Sequence, residues 1–143
     1  MTHFSMTVDI QASPDRVWSV VRDIERWPEW TSTVASVQRT DAGPLAVGSR
    51  ARILQPTLLP AEWQITELDE GIRSFTWVTR SPGVQVTGRH RVEENGDGSR
   101  VTLSLEFSGF LGPLVARFYR SLNQRYIATE AEGLRKRCEA QLV

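Results

Sequence analysis

One cysteine, two histidines and a single lysine occur in 143 residues, and each scarcity closes off a kind of chemistry. Cys138 has no second cysteine with which to form a disulfide, and with only His3 and His90 beside it no zinc-ligand spacing can be assembled, so no metal is expected. A lone thiol suits a reducing compartment, which makes a cytoplasmic location the expectation. Lys136 is the only lysine, and seventeen basic side chains are cancelled by seventeen acidic ones. No net field therefore draws the chain to a nucleic acid or to an anionic membrane.

Long apolar runs are missing as well. None approaches the roughly 20 residues of a spanning helix, and "MTHFSMTVDI" lacks the basic start and apolar stretch of a secretory leader, so no membrane insertion is expected. There is no G-x-S-x-G elbow, no phosphate-cradling glycine loop and no dinucleotide fingerprint, which argues against standard hydrolase and nucleotide chemistry and calls for no cofactor. What remains is an ordinary globular composition, 40% hydrophobic and 24% charged, with length for one domain over residues 1–143.

The chain opens with strand alternation: Phe4, Met6, Val8 and Ile10 fall on one side of "FSMTVDI" and Ser5, Thr7 and Asp9 on the other. A helix follows in "SPDRVWSVVRDIERW", with Ser13 as N-cap, Pro14 at the first helical position, and Val17, Val20, Val21 and Ile24 as its apolar face. Pro28 in "RWPEW" keeps the helix from running straight through, so a break or a second short helix is expected to follow. Six further strands are predicted in "VASVQR", "SRARIL", "EWQITEL", "SFTWVTR", "VQVTGRHRVE" and "RVTLSLEF". They are joined by Gly, Pro, Asn and Asp clusters that read as hairpin turns of an antiparallel sheet.

Closing the last hairpin at "NGDG" with Glu94 facing Ser99 sets Val92 opposite Val101, His90 opposite Leu103, Gly88 opposite Leu105 and Val86 opposite Phe107. Only that register gathers the apolar side chains on one face, and His90 falls among them. In the preceding hairpin the same criterion pairs Ile65 with Phe75 and sets Trp63 opposite Trp77. Beyond Gly109 the period becomes helical: Val115, Phe118, Tyr119, Leu122, Tyr126, Ile127, Ala131, Leu134 and Cys138 mark one long amphipathic helix. A one-faced sheet needs a cover, that helix is the only element large enough, and a curved sheet wrapping it leaves an interior.

This order of elements resembles the START-like, Bet v 1-like (SRPBCC) superfamily and, within it, the polyketide cyclase/dehydrase and lipid-transport group. The carriers are "SPDRVWSVVRDIERWPEW", "EWQITELDEGIRSFTW" and "GRHRVEENGDGSRVTLSLEFSGFLGPL". The resemblance implies an α+β helix-grip fold: a curved seven-stranded antiparallel sheet around a long C-terminal helix, two short helices after the first strand, and a deep hydrophobic cavity. In that fold Trp27 and Trp30 would be wedges sealing the cavity floor, with core packing as the simpler fate and ligand stacking as the alternative for Trp30.

From the strand and helix alternation, Trp30, Ile53, Trp63, Trp77, His90, Leu103, Phe107, Phe118, Leu122 and Tyr126 are the expected ligand-binding residues. His90 could orient a polar group or move a proton, or be a core histidine held by Tyr126 or a water. Tyr119, Tyr126 and Glu130 could converge on it, so His90 and Tyr126 are the catalytic candidates. Glu106, placed outward near Arg89, reads as half of a surface pair.

Two functions stay open at this point. The first is a module that binds a small hydrophobic molecule such as a lipid or polyketide, and the second is a cyclase, aromatase or dehydratase acting in the same cavity. A nucleic-acid role for Arg135, Lys136 and Arg137 ranks last, because acidic neighbours surround them. The protein is expected as a monomer or homodimer.

Overall fold

A computed structural model describes residues 2–140. Seven strands form one antiparallel sheet: β1 (Thr2–Ile10), β2 (Ser36–Arg39), β3 (Arg50–Leu54), β4 (Ala61–Asp69), β5 (Ser74–Ser81), β6 (Val84–Asn95) and β7 (Gly98–Ser108). They lie in the order β1-β7-β6-β5-β4-β3-β2. Between β1 and β2 come α1 (Pro14–Arg22) and a 3₁₀ helix (Ile24–Glu29), and after β7 come α2 (Gly112–Phe118) and α3 (Arg120–Glu139). This is the helix-grip arrangement, with the curved sheet packed around α3. Among the described residues no helix is long and apolar enough to cross a membrane.

The last hairpin has the register that its side-chain pattern demands: His90 faces Leu103, Gly88 faces Leu105 and Val86 faces Phe107. The β4–β5 pairing departs from expectation. A bulge between Ile65 and Glu67 shifts the ladder, so Ile65 faces Trp77 and Leu68 faces Phe75. The extra residue changes the parity of the strand, which is how Ile65 and Leu68, three apart, both turn toward the apolar side. Trp63 and Trp77 still meet diagonally, with ring centroids 5.4 Å apart.

At the first helix, Ser13 Oγ accepts from the Arg16 backbone N–H at 3.2 Å, and Pro14 fills the first turn. Val17, Val21 and Ile24 are then buried. The same Arg16 reaches across to α3, where its Nε donates to the Cys138 carbonyl at 2.8 Å. A guanidinium on the free carbonyls of a helix C-terminus satisfies both their hydrogen bonding and the helix dipole. Glu70, in the β4–β5 turn, accepts from Trp18 Nε1 at 2.6 Å and pairs with Arg22 at 2.8 Å, fastening the other side of α1 to the sheet.

The C-terminal helix is divided rather than continuous. Tyr119, at φ −99° and ψ 16°, separates α2 from α3, while Val115, Tyr119, Asn123 and Ile127 keep a spacing of four across the break. In α3 the buried positions are Asn123, Ile127, Ala131, Leu134 and Cys138. Phe118 therefore turns outward, 80% exposed, and Leu122 is only half-buried.

Close packing of α3 against the 3₁₀ segment depends on one residue. A methyl group on Gly133 would run into the backbone carbonyl of Trp30, whose ring lies alongside. Trp27 takes the opposite side of that segment. It is 2% exposed, its indole donates to the Val21 carbonyl at 3.0 Å, and its ring meets those of Trp30, Phe75, Trp77 and His90. The two tryptophans of "RWPEW" are thus a wedge, one face against α3 and the other against β5 and β6. Aromatic burial of this size dominates the packing of a short segment.

Candidate functional site

Between the sheet and the helices lies a cavity of about 290 Å³. Its deep end is closed by Trp27, His90 and Leu103, all buried, and its other end reaches the surface where Leu59, Ser81 and Tyr119 are exposed. The mouth is therefore framed by the β3–β4 loop, the β5–β6 turn and the end of α2. Inward strand positions supply most of the wall, as two-residue periodicity requires. Gly88 leaves room there for the Trp77 ring, whose Nε1 would lie 2.9 Å from any Cβ at that position.

Seven of the ten residues expected from the sequence line this cavity: Ile53, Trp63, Trp77, His90, Leu103, Phe107 and Tyr126. Three do not. Phe118 and Leu122 lie outside the helical stripe formed by Val115, Tyr119, Asn123 and Ile127, and Trp30 is committed to α3 at Gly133. Wall residues not named among those ten include Val86, Leu105, Asn123 and Ile127, and Trp27, expected as a wedge at the cavity floor, lines it as well. Asn123 sits four residues before Ile127 and eight before Ala131, a spacing that places it on the buried stripe, but its polarity disguised it.

Polar groups on the wall are few and mostly spoken for. His90 is 6% exposed and stacks on Phe75, with ring centroids 4.4 Å apart and planes 8° from parallel. Its Nε2 lies 3.3 Å from Glu130 Oε1. An ionised carboxylate only accepts, so opposite an ionised Glu130 it is Nε2 that donates, and Nδ1 is buried without a partner among the described residues. Tyr126, expected as the partner of His90, instead donates its hydroxyl to the Pro56 carbonyl in the β3–β4 loop. Glu130 alone therefore joins His90, and the tyrosine ties α3 to the loop at the mouth. Glu106 is paired with Arg89 at 3.7 Å, as expected of a cross-strand surface pair.

Among the described residues no three His, Cys, Asp or Glu side chains gather as a metal site would require. Cys138 is buried at the far end of α3, and burial pushes its thiol up to about 11. The native protein should accordingly react with a disulfide reagent at pH 8 far more slowly than the unfolded chain, because the thiolate is the nucleophile. The sign for stability follows from the same shift. The unfolded thiol, at 9.0, loses its proton before the folded one, so stability is unaffected below pH 9 and falls between pH 9 and 11. Cys138→Ser should flatten that alkaline fall in a pH series of thermal melts; an unchanged slope would show that the thiol does not cause it.

Comparison with known proteins places this architecture. The family model described as polyketide cyclase / dehydrase and lipid transport matches residues 1–139. The fold is similar to that of TTHA0849 from Thermus thermophilus, at 20% identity and a TM-score of 0.77, covering 96% of this chain and 97% of that one. It is likewise similar to ginseng major latex-like protein 151 from Panax ginseng, at 12% identity and a TM-score of 0.80, covering 97% and 98%. The Zhui aromatase/cyclase from Streptomyces sp. R1128 superposes with a TM-score of 0.79 at 15% identity, covering 96% and 93%. No curated protein matches the sequence at a significant level. Identities this low establish a common fold, and the match over nearly every residue establishes the family: the chain belongs to the polyketide cyclase / dehydrase and lipid transport family.

Proposed function

We propose that the chain is one ligand-binding domain that holds a small, mainly apolar molecule between its sheet and α3. The observation that carries this reading is the cavity itself, about 290 Å³, walled chiefly by aliphatic and aromatic side chains and reaching the surface at one end. That volume is at the lower edge of ordinary small-molecule sites, and burying apolar ligand surface there yields about 25 cal/mol per Å² before the costs of association. Trp27, Trp63 and Trp77 all border the space, so occupancy is open to a direct reading. The neutral dye N-phenyl-1-naphthylamine is expected to bind saturably and to receive energy from these tryptophans. Absence of saturable binding would defeat the proposal.

A second reading, an enzyme of the cyclase, aromatase or dehydratase kind, draws support from the His90–Glu130 pair on the cavity wall. A buried imidazole with one nitrogen held by a carboxylate and the other bare is arranged to take up and return a proton. The two readings separate at His90→Phe. A binding module keeps its affinity for the dye and for any molecule retained from its host, whereas an enzyme keeps the affinity and loses turnover of an oxygenated chain.

A further inference from the structure

Among the described residues the cavity wall carries ionisable acid and base side chains in one place only. Its lining residues include neither lysine nor arginine, and the ionisable pair is His90 with Glu130. The imidazole can become positive only with the Glu130 carboxylate 3.3 Å away, which cancels that charge. With the imidazole neutral, the carboxylate leaves the wall negative. In every protonation state that keeps Glu130 ionised, the site offers an incoming anion no net positive partner.

The arginines of the C-terminal helices lie away from the cavity. On α3, Arg135 is engaged by Glu132 and Glu139 and Arg137 by Glu29. Arg117, Arg120 and Arg125 are exposed and do not line the cavity. A few uncharged polar groups remain by contrast: Thr79, Ser81 and Asn123 contribute to the wall, and Asn123 Nδ2 is buried without a partner among the described residues. Moving an ion out of water without a counter-charge costs far more than moving a hydroxyl or carbonyl that finds a hydrogen bond.

We infer that the ligand is an uncharged molecule, an apolar body bearing hydroxyl or carbonyl groups, and that Glu130 acts as the specificity residue that rejects carboxylates. This rests on the binding function proposed above and narrows its ligand class. Free fatty acids and other anionic amphiphiles are excluded, while the corresponding alcohols, ketones and esters are admitted.

A matched pair tests it. With N-phenyl-1-naphthylamine bound, 1-decanol and decanoate are titrated at pH 8 and their displacement of the dye is compared. Decanol should displace at a concentration at least about tenfold lower, since the two differ at one terminal group whose burial as an ion is penalised. Glu130→Gln keeps an acceptor for His90 Nε2 and removes the negative charge, so the gap should shrink several-fold. Thr79→Lys, a half-buried wall position from which a flexible ammonium can still reach water, should shrink it further by supplying a cation.

Equal displacement by decanol and decanoate in the unaltered protein would overturn the inference while leaving the binding function intact. An unchanged gap in both folded variants would overturn the role given to Glu130 and to wall charge. Failure of the dye itself to bind would strike the underlying function instead.

Discussion

Gly133→Ala is expected to destabilise the protein by about 2 kcal/mol, against the usual sign of that substitution. In a helix interior alanine is worth up to about 1 kcal/mol over glycine, so a position chosen by propensity alone would gain. Here the added methyl meets the backbone carbonyl of Trp30, the residue capping the 3₁₀ segment, and a main-chain carbonyl cannot swing aside as a side chain would. Overpacking costs of about 1–3 kcal/mol, or more, outweigh the helical gain. The melting temperature should fall by at least about 6 °C for a chain of this size, and Gly133→Val should do worse. Because the obstacle is main chain, adding Trp30→Ala would not restore the loss. A melt equal to or above that of the unaltered protein would show that α3 and the 3₁₀ segment are not in the contact described.

Much of this architecture could be read before any coordinates. The β6–β7 register was legible because only one pairing puts Val86, Val92, Val101, Leu103, Leu105 and Phe107 on the same face, and a slip by one residue reverses every one of them. The α1 start was legible because Ser13 and Pro14 act locally. The β4 bulge was missed although a trace of it exists: Ile65 and Leu68 cannot both face inward on an unbroken two-residue period.

The break at Tyr119 left no such trace. Neither glycine nor proline marks it, and Val115, Phe118, Tyr119 and Leu122 fit one continuous helix well. Only the competition of two helical segments for the same sheet decides which stripe is buried, and that is a tertiary effect. The site followed the same division: strand positions such as Ile53, Trp63, Trp77 and Leu103 line the wall, while the helix positions Phe118 and Leu122 do not, because a broad apolar stripe does not say which of its edges meets the sheet. Tyr126 kept its place on the wall and lost its expected partner, because its hydroxyl donates to the Pro56 carbonyl while His90 Nε2 pairs with Glu130.

Filling the cavity should abolish binding and cost the fold nothing. A hollow of about 290 Å³ leaves its apolar lining without packing partners, which close packing would otherwise supply. A chain under selection for stability alone would have closed it with larger side chains, as evolution and design both do readily. Val86 offers the means: it lies on the wall, half-buried, opposite Phe107 in the β6–β7 ladder. Val86→Trp puts an indole into the space, and dye affinity should drop by about 100-fold or more as the ligand loses both room and buried area. The melting temperature should stay level or rise, since the indole exchanges water or void for packed surface. Arg89→Trp places the same ring on the outward face of the same strand, where it should leave affinity unchanged. Opposite signs for stability and binding at one wall position separate a cavity kept for a ligand from a packing defect. If Val86→Trp bound the dye as tightly as the unaltered protein, the dye would be held somewhere other than the space between the sheet and α3.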